Sequence, residues 1–464
     1  MPPILSRCAG CDQRDRRIAK LEAENQRLRQ ELEKGQSDGR RQAHPFRRDK
    51  GNPDQPKKPG RRKGHKADLR PVPTPGQIDR VIDVPMPLSP CCHRPVIDRG
   101  QVVQLQSDLP PIVPIVTQFN LETGYCQGCG EYCQARHPDQ TSQAIGAAGN
   151  TLGPVVLTMA AEMKHRLGVS YRKICDFLQT YCQFKVCPAA FVRAEQRLAE
   201  LAKPTFTLLI EALRKSHVVH ADETGWRVGR LNAWLWVFSC KQATVYAIRT
   251  GKGARGHQVP QEILGDAFDG YLVVDGLASY DVLAIAKGRC NAHLLRRCKK
   301  VHDQVPKREQ AHIDALSTLL QEAIDLASRR DEFQPGDYDR RVQDIEDRLD
   351  AWLEANLTRR GVSAELDCLD QHIRSHRGEW LLFLHDSAVP PTNNHAEQML
   401  RPSVITRKIG GCNKNLLGAL VHSVLSSLMV TCHRQGKRFL DLARQLWQDD
   451  QAQPVPIKSL PNAG

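Results

Sequence analysis

Two aspartates stand where strands should end: Asp222, just after the apolar run His217–His220, and Asp275, directly after Tyr271, Leu272, Val273 and Val274. Carboxylate oxygens suit hard divalent cations, and cations held this way can neutralise charge on the attacking and leaving oxygens of a phosphodiester. A third carboxylate, Glu397, lies in the stretch Asn393–Pro402, which should start a helix with Asn393 or Asn394 near its cap. On that helix Glu397 and Arg401 are one turn apart. If the helix survives Pro402, Lys408 lies eleven residues from Glu397 on nearly the same face; Pro402 can instead end or kink it. Glu223, beside Asp222, competes with it for the same assignment.

Thiols offer a second chemistry. Residues 81–135 alternate Val and Ile with polar residues and Pro, as short strands do, and carry Cys91, Cys92, His93, Cys126, Cys129 and Cys133. Cys126 and Cys129 have the CxxC spacing of half a zinc ribbon, where two thiolates reach one tetrahedral ion at about 2.3 Å. The other half is irregular, because Cys91, Cys92 and His93 are contiguous; Cys92, Cys126 and Cys129 are the candidate ligands and the fourth stays open. The pair Cys8 and Cys11 could substitute, or could bind metal across a dimer. Incidental or buried thiols in a metal-free remnant are the alternative. Cys290 and His293 form a CxxH that reads first as packing or hydrogen bonding and second as a neighbour of an active site.

The elements that must carry these groups follow from periodicity. His217–His220 reads as a short strand ending at Asp222; Trp226–Val228, Leu231–Ser239 and Ala243–Thr250 follow, and the run suggests three antiparallel strands with Gly229 near the first turn. A helical segment at Val259–Leu264 leads into the buried strand Tyr271–Val274. Strand, strand, strand, helix, strand is the order of an α/β ribonuclease-H-like core, where acids at the ends of two adjacent strands face one another. Between 306 and 385, Ile313, Leu316, Leu319 and Leu320, then Val342, Ile345, Leu349, Trp352 and Leu353, repeat at helical spacing and predict an all-helical insertion. Residues 151–203 read as helical, with Val169–Thr180 and Pro188–Leu201 separated by a turn: a helix-turn-helix-like DNA-binding segment or a structural connector.

A chain of 464 residues should hold several folded units. Lys and Arg number 66 against 52 acids, a net charge of +14, and residues 40–70 carry +9 of it, twelve Lys/Arg against three Asp. So concentrated a charge points to a polyanion, and nucleic acid fits better than a membrane because no apolar face accompanies it. Residues 35–76 are too poor in large apolar residues to fold alone and predict a tether, where Lys57, Lys58, Arg61, Arg62, Lys63 and Lys66 could lie along phosphates or simply be solvated. Ile18, Leu21, Asn25, Leu28 and Leu32 have the a/d spacing of a short parallel coiled coil, or of a solvated amphipathic helix. Apolar stretches such as Leu152–Met163 are too short to span a bilayer, and Met1–Arg14 lacks the apolar core of a signal peptide. A cytosolic chain with reduced cysteines is expected. The expected organisation is a coiled coil at 1–34, a basic linker at 35–77, a zinc-ribbon-like module at 78–140 and a helical region at 141–212. The α/β core follows at 213–300 and 386–410 around the insertion at 301–385, with C-terminal helices and a tail at 411–464.

The segments HADETGWRV around Asp222, VVDGLASY around Asp275, CNAHLLRR from Cys290 and NNHAEQMLRPSVITRK around Glu397, in that order, resemble the DDE transposases of the insertion sequence 66 family. The resemblance implies a catalytic triad of Asp222, Asp275 and Glu397, spaced by 53 and 122 residues, holding Mg²⁺ or Mn²⁺. It implies cleavage at terminal inverted repeats and strand transfer into target DNA, with Arg401 and Lys408 on phosphates near the scissile bond and Asn393 or Asn394 orienting the Glu397 helix. It further implies a homodimer or larger complex, accessory proteins of the element as possible partners, and a nucleoid-associated place in a bacterial cytoplasm. The departure is at Ser89, Pro90, Cys91 and Cys92, where the family's first zinc knuckle reads CPxC, so zinc is the less secure metal. Two rival functions are a DNA-binding protein without catalysis and another ribonuclease-H-like nuclease.

Overall fold

The computed structural model describes residues 151–357 and 362–448 without interruption, most of 70–149, and a few positions between 17 and 26. The chain divides into two units, Met1–Leu105 and Gln106–Gly464. In the first, Ile18, Leu21 and Asn25 are helical and exposed, while Leu28, Leu32, Cys8, Cys11 and Lys57, Lys58, Arg61, Arg62, Lys63 and Lys66 lie outside the described residues. An antiparallel bridge between Leu88 and Pro95 closes a turn that carries Cys91 and Cys92.

The second unit opens with a hairpin, β1 (Thr123–Tyr125) and β2 (Tyr132–Gln134). Four helices follow: α1 (Pro154–His165), α2 (Tyr171–Cys182), α3 (Pro188–Leu201) and α4 (Lys203–Arg214). Then come β3 (Val218–Val228), β4 (Leu231–Ser239), β5 (Thr244–Thr250), α5 (Gln258–Leu264), β6 (Tyr271–Val274) and β7 (Lys287–Arg289). These five strands make one mixed sheet of order β5-β4-β3-β6-β7, antiparallel across β3–β4–β5 and parallel across β3, β6 and β7. This α/β architecture is compatible with a ribonuclease-H-like core. Residues Gly229 and Arg230 turn β3 into β4, and Gly229 takes φ +58°, which a side chain resists; a Cβ there would also sit 2.9 Å from the Lys414 carbonyl.

Side chains alternate across a strand, so each strand serves two layers. Val219 and Ala221 of β3, Trp236 and Phe238 of β4, Val245 and Ala247 of β5, and Leu272 and Val274 of β6 join one core with α1–α4. The opposite face is shared. Leu235, Val237, Tyr246 and Ile248 pack under α12 (Asn394–Gly410), whereas Val273 packs under a separate helical layer. That layer comprises α6 (Asn291–His302), α7 (Lys307–Ser328), α8 (Pro335–Leu357), α9 (Ala364–Ser375), α10 (Arg377–Trp380) and α11 (Leu382–His385). Leu294, Ile313, Leu316, Leu320, Ile345, Leu349, Trp352, Leu369 and Ile373 form its core. Each such buried side chain contributes about 1.5–3 kcal/mol of transfer free energy, which is why this layer can hold together on helix contacts alone.

Two helices close the fold, α13 (Leu416–Arg434) and α14 (Phe439–Gln448). Helix α13 is long and apolar enough to cross a membrane by length and composition, but it is mostly buried inside the protein. It runs along the free edge of β5. Thr431, Ser427 and Ser423 accept the backbone N–H groups of Thr244, Tyr246 and Ile248 at 3.0, 2.8 and 3.3 Å. Four helical residues rise about 6 Å and two strand residues about 6.8 Å, so a hydroxyl on every helical turn meets every second strand N–H. The helix thereby satisfies an edge that would otherwise offer itself to another strand.

Two expectations are refined here, and one strand is new. The stretches His217–His220 and Trp226–Val228 are parts of one continuous strand, because the polar residues between them alternate faces and pair throughout with β4. Lys287-Gly288-Arg289, which carries no apolar signal, is a strand buried by ion pairing. Helix α12 passes through Pro402 and ends at Gly410.

Candidate active site

Strand β6 pairs with β3 through Val218, Val219 and His220 and then stops, while β3 continues for eight more residues beside β4. Continuing the parallel register sets Asp222 opposite Asp275, one strand spacing of about 4.8 Å away. Asp222 shares its face with Val237, its partner on β4, and so points to the side covered by α12. The two aspartates therefore meet at the seam between α12 and the helical layer. Each is fixed by a local backbone bond: Glu223 N–H donates to Asp222 Oδ1 at 2.8 Å, and Leu277 N–H donates to Asp275 Oδ1 at 2.9 Å.

Glu223 takes the opposite face. It pairs with Trp236 in the register and lies 9 % exposed, bound by Arg255 Nη2 at 2.9 Å and Nε at 3.2 Å, with Tyr280 Oη donating at 3.4 Å. Arg255 also stacks over the Trp234 ring at 4.2 Å. The neighbouring acids thus divide: Glu223 is built into a structural ion pair, and Asp222 has no cation of its own among the described residues.

Asn393 brings the third segment into place. It is fully buried, and its side chain donates from Nδ2 to the Ala221 carbonyl at 2.7 Å while Oδ1 meets His220 Nδ1 at 3.1 Å. Its backbone N–H donates to Cys290 Sγ at 3.1 Å. One residue thus ties the start of α12 to the positions flanking Asp222 and to the start of α6. Asn393 occupies the cap position of α12, yet its side chain clamps the sheet instead of capping the helix. One turn in, Glu397 is about one-third exposed and faces α6, where Arg296 Nη2 lies 3.3 Å and His293 Nε2 3.7 Å from its Oε1. Of the CxxH, Cys290 is buried and accepts a backbone bond, and His293 lies beside Glu397.

Electrostatics bind the acids together. Burial pushes the Asp222 carboxyl up to about 8, with repulsion from Glu223, Asp275 and Glu397 adding to it. Burial and Asp275 also raise Glu223, against the opposing pull of Arg255. Burial and Arg296 lower His293. The donor set around Asp222 is carboxylate oxygen, which suits Mg²⁺ or Mn²⁺, and its proton affinity is raised first by burial and then by the neighbouring acids. Among the described residues no three His, Cys, Asp or Glu side chains are grouped to hold one metal ion.

The remaining sequence candidates are more scattered. Arg401 is exposed on α12, one turn beyond Glu397, and Lys408 is exposed in its last turn, about 16 Å along the axis at 1.5 Å per residue. Cys92 lies in the first unit, exposed, where a hydrogen bond with Ser89 lowers its thiol; Cys126 is exposed after β1 in the second unit; Cys129 is outside the described residues. Sequence reasoning missed Arg255, Arg296 and Arg407, the last of which binds Thr224 Oγ1 at 3.1 Å and the Gly225 carbonyl and so docks the far half of α12 on β3. Arg296 was within reach of the sequence, because it stands three residues after His293 on the same helix.

The model of the Transposase IS66 family matches residues 149–420, more than half of the chain. The chain belongs to this transposase family. No curated protein matches it. The matched span contains the whole sheet, the helical layer and α12, so all three acids of this transposase fall within it.

Proposed function

We propose that this transposase cleaves DNA at the terminal inverted repeats of an insertion sequence and joins the ends to target DNA, with Asp222, Asp275 and Glu397 as its catalytic acids. The observation that carries the reading is the convergence on Asp222: the β3–β6 register sets Asp275 opposite it, and Asn393 ties the start of the Glu397 helix to Ala221 and His220 beside it. Carboxylates crowd together at a cost unless the site is meant for cations. Mg²⁺ or Mn²⁺, held by Asp222 with Asp275 and by Asp222 with Glu397, would supply charge neutralisation at the attacking and leaving oxygens.

The chain's own residues do the rest. Asn393 fixes the distance between the Glu397 helix and β3, and Arg296 and His293 steer the Glu397 carboxylate. Arg401 and Lys408 extend along the exposed strip of α12, where phosphates of the same duplex can lie. The modular reading stays with this proposal: a coiled coil at 1–34 for dimerisation, basic Lys57, Lys58, Arg61, Arg62 and Lys63 on DNA, a zinc-ribbon-like module at 78–140 and a helical region at 141–212 before the split ribonuclease-H-like core. A homodimer or larger complex, with accessory proteins of the element, would bring two ends together.

The test is nicking of labelled terminal-repeat duplex by the purified full chain in Mg²⁺. Nicking and strand joining that vanish in Asp275→Asn are expected. Sequence-specific binding with no cutting in Mg²⁺ or Mn²⁺ would instead make the chain a DNA-binding protein without catalysis.

A further inference from the structure

Beside Asp275 a cavity of about 320 Å³ opens between the sheet and the helical layer, and the catalytic assignment leaves most of its wall unexplained. Arg297 of α6 and His372 of α9 line it, with Gly276, His293 and Trp380. The ring of His372 sits directly over the chain after Asp275: a Cβ placed on Gly276 would stand 3.8 Å from its Nε2. That ring meets His376 and Trp380 edge-on, and neither of its nitrogens hydrogen-bonds a described residue. Arg297 spends one nitrogen, Nη2, on the Cys368 carbonyl at 3.1 Å and on its sulfur, and makes no ion pair among the described residues.

The orphans gather here as well. Of the buried polar atoms without a hydrogen-bond partner, Trp380 Nε1 and His293 Nδ1 belong to residues of this wall, and Trp380 is 2 % exposed. A buried donor is normally satisfied, so Trp380 Nε1, left without a partner among the described residues, has room for an acceptor from outside. The one acid on the wall, Asp275, already accepts Leu277 N–H, and Arg255 is committed to Glu223. The wall therefore offers the guanidinium of Arg297, which has no ion pair among the described residues, and the ring of His372, with its one acid already accepting a backbone bond, which favours an anion. Its volume is at the small end of ligand pockets, suited to one sugar-phosphate unit of a single strand and not to a duplex.

We propose that this cavity binds one phosphodiester of the DNA strand adjoining the scissile bond, with Arg297 and His372 as its ligands. The inference rests on the catalytic reading above, since the cavity opens beside Asp275. It assigns the helical layer a part in holding substrate: α6 and α9 deliver these two side chains to the strand end.

The test uses the full chain with pre-nicked terminal-repeat duplexes in which single phosphates flanking the nick are replaced, one at a time, by neutral methylphosphonates. Binding is read by fluorescence anisotropy in Ca²⁺, so that cutting does not intervene. One position should cost the wild type about tenfold or more in affinity, as the loss of a charged hydrogen bond does. Arg297→Gln should bind the unmodified duplex about tenfold more weakly, with a salt dependence shallower by about one ion, and should lose nothing further from the methylphosphonate at that position. His372→Gln should show the same loss of coupling, and Arg297→Lys should recover part of the affinity; melting temperatures check that each variant is folded. If Arg297→Gln and His372→Gln bind like the wild type, or if their losses multiply with the methylphosphonate at every position, the assignment is overturned while Asp275-dependent nicking stands. If the wild type neither binds nor nicks terminal repeats, the catalytic reading falls and this inference with it.

Discussion

Replacing Asn393 by Ala should damage the protein twice, once in stability and once in geometry. The side chain is fully buried and makes two bonds, to the Ala221 carbonyl at 2.7 Å and to His220 Nδ1 at 3.1 Å. Truncation leaves the buried Ala221 carbonyl and the half-buried His220 nitrogen without a mate; each orphan costs about 1–3 kcal/mol, for a total of at most about 2–6 kcal/mol. In a folded unit of this size each kcal/mol lowers the melting temperature by about 2 °C, so calorimetry should find a drop of about 4–12 °C. The backbone bond from Asn393 to Cys290 Sγ survives, so α12 should stay helical but lose its fixed distance to β3. A shift of about 1 Å in the Glu397 helix is enough to slow chemistry about 10²-fold. Single-turnover nicking at a temperature well below the new midpoint separates the two effects. Asn393→Asp, which keeps an oxygen but sets a carboxylate against the Ala221 carbonyl, should be no better than Ala. If Asn393→Ala melts within a degree of the wild type and nicks at the same rate, the clamp does not position Glu397.

Other outcomes follow from the same contacts. Ser427→Ala strands the Tyr246 N–H at the sheet edge and should cost about 1–3 kcal/mol by thermal melts, with weakened protection of that amide in hydrogen exchange. Arg289→Met removes a buried cation bound to Asp281, Glu379 at 2.6 Å and His376; it should leave uncompensated acids, cost about 3–5 kcal/mol in thermal melts, and loosen the loop that follows Asp275. Acid should weaken the fold below pH 6.5. His422 is held well below its ordinary value and His372 at about 4, both chiefly by burial, so the unfolded chain takes up protons that the fold refuses. Their contribution is complete above about pH 6.5 and declines toward pH 4 by at most about 1.4 kcal/mol per unit for each histidine, which melts across that range will read.

How much of this was legible in the sequence depended on where the signal is local. Tyr271–Val274 and Leu231–Ser239 were read at their true bounds because an apolar run or an alternating one sets a strand by itself. Strand β7 was not, because Lys287 and Arg289 are buried by Glu379 and Asp281, partners eight to ninety-two residues away that no local pattern reveals. Asp222 and Asp275 could be named from strand ends, but the separation of Glu223 from Asp222 needed the register with Trp236 and the arrival of Arg255. At Pro402 the sequence leaves two outcomes open and the fold decides: a residue that breaks isolated helices is carried through α12, whose flanks are held by Leu400, Ser403 and Thr406 in the core. The wall of the cavity beside Asp275 is assembled from α6, α9 and α10, so only the fold could bring Arg297, His372 and Trp380 together.

The central claim is that Asp222, with Asp275 and Glu397, gathers divalent cations at the end of β6. Mn²⁺ titration of the full chain bound to a terminal-repeat duplex, followed by electron paramagnetic resonance, tests it without relying on turnover. The account predicts a spin-coupled pair of ions about 3.5–4 Å apart that disappears in Asp222→Asn and persists in Glu223→Gln. Mn²⁺ binding that is unchanged by Asp222→Asn, or that is lost only with Glu223→Gln, would contradict it.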